Sequence, residues 1–343
     1  MSRRAAAVVV IALLAACGGG GGGGDDSGGG TGGGGGGGGN GGGGGGGGGS
    51  NPGTPAVVTG QYRMLPAATS FASALSDMNA QGAQGYAFFS SLYPGGNVTT
   101  FGDFYVSDTA HAGSKLEYVM EPDVASADAA LAQMNARGAQ GYAYKGGAAY
   151  GTTLPIEQRS IYVKDTSRST TYTYERRAST GTTNRAAYEA QLNEQGARGF
   201  RQVGPMFVAG EQFTLYVKDN SGATYSYSLR DWTGNFGIAS GAALQQQLTE
   251  MGAQGFMYQA GMSIQGQTVV QFEKSSAQSG AIEYAVEESK PGSLDQMLAR
   301  MNERAAQGFF LFGNVVVNDG TTQTISVKNA VALRHPLAGI SFP

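Results

Sequence analysis

One cysteine, two histidines and a group of strand-borne tyrosines are the residues whose types bear on chemistry. Cys17 is the only cysteine in 343 residues, so no intramolecular disulfide forms and no thiolate site for zinc can be assembled. His111 falls between two repeated segments and His335 in a proline-containing tail, which places no shared metal or base between them. Gly261-Met262-Ser263-Ile264-Gln265-Gly266 is a near miss to a nucleophile elbow: it has one residue too many before the second glycine, and no histidine is placed to act as base. Glu287 and Glu288 are adjacent carboxylates, but neighbours on a strand point to opposite faces, so they read as solvated surface and not as an acid/base pair. The expectation is no catalytic residue, no metal and no cofactor.

Aromatic residues offer a binding reading. Tyr172, Tyr174, Tyr225 and Tyr227 alternate along two strand-like segments, and exposed rows of this kind stack on sugars or form protein interfaces. The same alternation also describes rings that cover a helix from the sheet side, with hydroxyls reaching the rim, and that reading is the stronger of the two. Trp232 lies in a loop outside the apolar periodicity and is expected to be an exposed anchor.

The start of the chain says how such a domain is delivered. Arg3 and Arg4 precede an apolar run from Ala5 to Leu14, followed by the small pair Ala15-Ala16 before Cys17; this is the three-part pattern of a secretory signal. The run is too short to cross a hydrocarbon core, which takes about 20 apolar residues as a helix. Leu14-Ala15-Ala16-Cys17 resembles the lipobox of bacterial lipoproteins. The resemblance implies cleavage before Cys17, acyl chains on its sulfur and amine, and stable attachment to a bilayer. Gly18 stands where an aspartate would imply inner-membrane retention in enteric bacteria, so the outer membrane, facing periplasm or cell surface, is the expected address.

Residues 18–50 hold 27 of the chain's 59 glycines. Such a segment buries too little apolar surface to offset ordering and reads as a tether with a root-mean-square reach of roughly 30 Å. It is not a phosphate loop, because no strand precedes it and no helix follows.

Beyond the tether one unit recurs five times. Met78-Asn79-Ala80-Gln81-Gly82-Ala83-Gln84-Gly85-Tyr86 returns at Met134–Tyr142, Leu192–Phe200, Leu248–Phe256 and Met301–Phe309. Each unit opens on an alternating strand such as Tyr62-Arg63-Met64 or Tyr118-Val119-Met120 and continues into a helix with apolar residues three or four apart. Two more strands follow, so the unit is βαββ. Gly82, Gly138, Gly196 and Gly252 are expected as left-handed helix ends, and Ala305 at that place in the fifth unit predicts a strained or differently capped end. The second glycine, directly before the aromatic in all five units, is expected to need positive φ or close backbone approach. The last strand of one unit and the first of the next are expected to form a hairpin.

The resulting reading is an α+β fold of five tandem βαββ repeats, with helices packed on an antiparallel or mixed sheet. Its parts are a signal peptide (1–16), a lipidated cysteine and tether (17–59), repeats at 60–113, 114–170, 171–222, 223–280 and 281–329, and a tail (330–343). The units resemble a family of small bacterial βαββ domains that brings no functional residues with it. They stack either as an open array, slightly preferred, or as a closed propeller-like ring resembling the pentein fold; pentein enzymes use a cysteine or comparable set that this chain lacks.

With Arg3 and Arg4 removed, 20 basic residues face 25 acidic ones, so the chain lacks the basic footprint of a nucleic-acid binder. The expected role is a membrane-anchored binding or spacer module in the cell envelope, with the bilayer, another envelope protein or a glycan as partner. The alternative is an envelope hydrolase acting on glycan through carboxylates between units.

Overall fold

A computed structural model describes residues 57–94, 100–150, 157–179, 184–232, 238–290 and 292–330. Cys17, the glycine-rich residues 18–50 and His335 lie outside them. The first unit comprises β1 (Gly60–Pro66), α1 (Phe71–Gly82), β2 (Ala87–Leu92) and β3 (Gly102–Asp108). The order repeats as β4 (Leu116–Pro122), α2 (Ala127–Ala139), β5 (Ala143–Tyr150) and β6 (Glu157–Asp165), then β7 (Tyr172–Ala178), α3 (Arg185–Ala197), β8 (Arg201–Val208) and β9 (Glu211–Asp219). Units four and five are β10 (Tyr225–Asp231), α4 (Gly241–Ala253), β11 (Met257–Ile264) and β12 (Gln267–Ser275), and β13 (Glu283–Glu288), α5 (Leu294–Ala306), β14 (Phe310–Val316) and β15 (Thr322–Lys328).

Local chemistry starts each helix in the same way. Ser70, Ser126, Asn184, Ser240 and Ser293 stand extended at the N-caps, and their side-chain oxygens accept a first-turn amide. Each helix buries a short stripe, Met78 in α1, Met134 in α2, Tyr188 with Leu192 in α3, and Leu244 with Leu248 in α4.

Every sheet is a separate, open, antiparallel three-stranded sheet with the unit's last strand in the middle, in the order β1-β3-β2 and its equivalents. The expected hairpin between units therefore does not form, because β9 and β10, for example, belong to different sheets. The hairpins lie inside units. Ala209-Gly210 (φ 49 and 87) and Gln265-Gly266 (φ 53 and 77) supply the paired positive φ of a tight turn whose twist matches the strands.

The ring is closed. Helix α1 packs on β4, α2 on β7, α3 on β10 and α4 on β13, and α5 packs on β1. Of the two arrangements left open by the sequence, the less favoured one is adopted, because the fifth unit meets the first through the same contacts that join the others. Asn79 accepts the Tyr118 amide at 2.8 Å and donates to its carbonyl at 3.1 Å. Asn135 does so on Tyr174, Asn193 on Tyr227, and Asn302 on Tyr62 across the closing joint. Gln245 bridges Tyr284 and Val286 in the fourth joint.

A second recurring bond explains the joint tyrosine. The ladder between second and third strands slips by one residue in every unit, as between Phe88 and Ser90 or Gln202 and Gly204. A bulge takes an amide out of the ladder. The hydroxyls of Tyr118, Tyr174, Tyr227, Tyr284 and Tyr62 accept the amides of Phe88, Tyr144, Gln202, Tyr258 and Leu311, each from the preceding unit.

The two repeated glycines divide the work. Gly85, Gly141, Gly199, Gly255 and Gly308 have φ of 84, 90, 86, 79 and 86°, as expected. Gly82, Gly138, Gly196 and Gly252 are not left-handed helix ends. A Cβ there would stand 2.4, 2.2, 2.1 and 2.3 Å from the carbonyl oxygens of Leu116, Tyr172, Tyr225 and Ile282, so they are glycine because the next unit's strand passes so close. The fifth helix ends like the rest, with the Gln307 amide on Arg304 and Ala305, and Ala305 brings no different cap.

Chain direction gives the ring two faces. Strands β1 and β2 run away from the face where Val57 and Val58 enter beside Gly308, and the chain returns there at Asn329. The opposite face carries the hairpin tips and the helix N-termini.

Candidate functional site

The tyrosine row is interior. Tyr172, Tyr174 and Tyr227 are buried and Tyr225 is half-buried. Burial pushes the Tyr225 phenol up to about 12 and those of Tyr172, Tyr174 and Tyr227 higher still. With its hydroxyl on the Tyr144 amide at 2.6 Å, Tyr174 has no open face for a sugar. Trp232 is half-buried too: its ring lies against Gly261, where a Cβ would meet Cζ2 at 2.6 Å, and its Nε1 is buried without a hydrogen-bond partner. It packs in the core of its unit instead of standing out as an anchor.

The other residues with chemical potential have local partners. Glu287 pairs with Arg304. Ser263 and Ile264 end β11, and Gln265-Gly266 form its hairpin turn, so the near-elbow is a turn between strands. His111 is buried, with Nδ1 at 2.7 and 2.9 Å from the two carboxylate oxygens of Asp108, and lines a shallow surface depression with Ser114, Ser167 and Arg168. The Asp108 carboxylate also accepts the Ala110 and His111 amides, which makes the pair the brace of the turn after β3. Among the described residues no three of His, Cys, Asp or Glu gather to hold a metal, and no helix is long and apolar enough to cross a membrane.

What the sequence reading missed is a rim. Tyr93, Phe207 and Val316 are 46, 74 and 68% exposed. All three are the seventh residue after the repeat aromatic, Tyr86, Phe200 and Phe309, and so occupy one position on the hairpin face in units one, three and five. Tyr93 also stacks edge-on against Phe101 at 5.6 Å. The same position is Ser263, exposed, in unit four and Ala149, buried, in unit two. Counting from the aromatic, which the repeat itself supplies, was the signal that would have found it.

Two joints carry buried charge. Between units three and four, Arg201 Nε donates to Glu273 at 2.7 Å, with side chains 10 and 2% exposed. Burial works against the guanidinium charge, and Glu273 together with Tyr225 and Tyr227 more than offsets it. Tyr227 donates to the other Glu273 oxygen at 3.0 Å, and Tyr188, Gln202 and Gln271 bond to one another beside the pair. Between units one and two, Asp103 is 3% exposed and accepts the Ala68 amide and the Ser91 hydroxyl. Burial, with Asp77 adding like charge, raises its carboxyl above the usual range. The buried Tyr105 hydroxyl, close enough to feel both carboxylates, has no hydrogen-bond partner.

Residues 50–214 match the model of a family described as PT dipeptide repeat lipoprotein. The match spans the first two units and the third as far as its last strand, and no Pro-Thr dipeptide occurs in the chain, so the likeness does not rest on the dipeptide of that description. The chain is thus similar to repeat-containing lipoproteins. No curated protein and no solved structure matches it.

Proposed function

We propose that this chain is a membrane-anchored envelope lipoprotein, acylated at Cys17, whose five-unit ring presents its hairpin face to an envelope partner. The observation that carries the reading is the recurrence of exposed Tyr93, Phe207 and Val316 at one repeat position, on the face opposite the one where the chain enters and leaves. Single exposed apolar residues are ordinary, but the same position exposed in three units marks a surface that a partner covers. A tether reaching roughly 30 Å lets that face sweep a volume next to the bilayer. The outer membrane remains the address this reading favours.

The test is a photo-crosslinking residue at position 207 in the full chain, in intact cells, with mass analysis of Cys17. A discrete adduct lost on Tyr93→Ser/Phe207→Ser/Val316→Ser, together with lipid mass on Cys17, supports the proposal. An unmodified cysteine behind an intact leader, or no adduct, overturns it.

Asp103 gives the alternative its one foothold, since a raised carboxyl beside Asp77 and an unpartnered phenol has the character of a general acid. Under the hydrolase reading, glycan release by the purified chain disappears in Asp103→Asn; without release by the wild type, that reading falls.

A further inference from the structure

Three positions meet wherever one unit docks on the next: the helix-end residue, the strand residue two before the joint tyrosine, and the residue just after the repeat aromatic. In the first four joints they are Gly82, Leu116 and Ala87; Gly138, Tyr172 and Ala143; Gly196, Tyr225 and Arg201; Gly252, Ile282 and Met257. The closing joint inverts the sizes, with Ala305 for glycine, Gly60 for the large strand residue and Phe310 after the aromatic. A Cβ on Gly60 would stand 2.3 Å from Phe310 Cε1 and 2.6 Å from the Ser107 carbonyl oxygen. The Phe310 ring therefore occupies the room that Leu116 or Tyr172 fills with its own side chain, and Ala305 is fully buried behind it.

We infer that this inversion is a key: unit five is shaped to accept the first strand of unit one and no other, and that fixes ring closure at five units. All joints share the amide bridge and the tyrosine–bulge bond, so those bonds do not tell one partner from another. Volume does. If unit four closed on β1, Gly252 and Met257 would leave a hollow over Gly60 that only a ring fills, and an unfilled hollow costs stability. If unit three closed there, Arg201 would face Val106, which stands where Glu273 stands in unit four, and a buried charge would lose its partner. In the other direction, Phe310 collides with any first strand that carries a side chain at the Gly60 position. The surface that unit five fits is thus the first strand of this chain, or of a second copy of it.

The test uses the full chain and reads the joint locally. Gly60→Leu should lower the melting temperature by about 5 °C or more. It should also strip hydrogen-exchange protection from the Tyr62 and Leu311 amides while leaving those of Tyr118 and Phe88 protected. Adding Phe310→Ala and Ala305→Gly rebuilds the closing joint in the image of the first one. The triple variant is expected to regain the protection at Tyr62 and Leu311 and most of the melting temperature, even if the single variant fails to fold. A triple variant no better than Gly60→Leu overturns the key, as does equal loss of protection at the first and closing joints in a Gly60→Leu chain that still folds.

Discussion

The joints on either side of unit three solve one packing problem in opposite ways. Between units two and three, Ala143 and Val217 meet as small apolar groups; between units three and four, the same positions hold Arg201 and Glu273 in a buried ion pair. Both joints keep the asparagine bridge and the tyrosine–bulge bond. The shared bonds hold neighbouring units together, and the differing residues decide which neighbours fit. A buried pair adds little net stability over apolar packing, because desolvation offsets the attraction, but it is costly to break on one side only.

The largest effect follows from that asymmetry. Arg201→Ala leaves Glu273 buried without its cation and is expected to cost about 3–5 kcal/mol in denaturant unfolding. Arg201→Met with Glu273→Val recreates the Met257–Val327 combination of the fourth joint and should recover most of the loss. Equal losses in the single and double variants would show that the pair is not what distinguishes the two joints.

Lys145 on β5 sharpens the comparison, because burial alone lowers its ammonium to about 8. The unfolded chain binds this proton up to about 10.4, so between pH 8 and 10 the unfolded state holds more protons and stability rises with pH. Below pH 8 both states are protonated and the penalty is constant. Each tenfold loss of proton affinity corresponds to about 1.4 kcal/mol, so Lys145→Met should be more stable than wild type at pH 7 by about 3 kcal/mol at most. That advantage should shrink towards pH 10. A pH-independent difference between the two unfolding curves would mean that the ammonium is solvated.

Much of this fold was legible in the sequence because a repeat states its own grammar. The period located the five units, strand alternation and helical spacing gave their elements, and the glycine before each aromatic announced a positive φ. At Gly199 that φ is 86°, and a Cβ would press the Ala223 carbonyl at 3.0 Å and the Lys218 stem at 3.2 Å. Gly199→Val is accordingly expected to cost about 2 kcal/mol by thermal unfolding; an unmoved midpoint would contradict it. Closure was not legible, because the decisive contact pairs residues 240 positions apart, Tyr62 and Asn302, and local pattern carries no trace of it. The same distance hid the role of Gly82, which is glycine for the sake of a carbonyl in the next unit. The tyrosines were ambiguous because alternation fixes which residues share a face and not whether that face is covered. Trp232 broke the periodicity and so looked exposed, yet it packs on Gly261, whose missing side chain makes the room.

The smallest effect separates the two joints most cleanly. Tyr174→Phe removes the hydroxyl that accepts the Tyr144 amide at 2.6 Å and leaves a bulge amide buried without a partner, at a cost of about 1–2 kcal/mol. Tyr227→Phe does the same to Gln202 and also takes a donor from Glu273, so its cost should exceed that of Tyr174→Phe by up to about 1 kcal/mol. The excess belongs to the ion pair and not to the joint, so it should vanish when Tyr227→Phe is measured in the Arg201→Met/Glu273→Val background. An excess that survives there would assign it to the bulge itself, and the two joints would then differ in backbone as well as in charge.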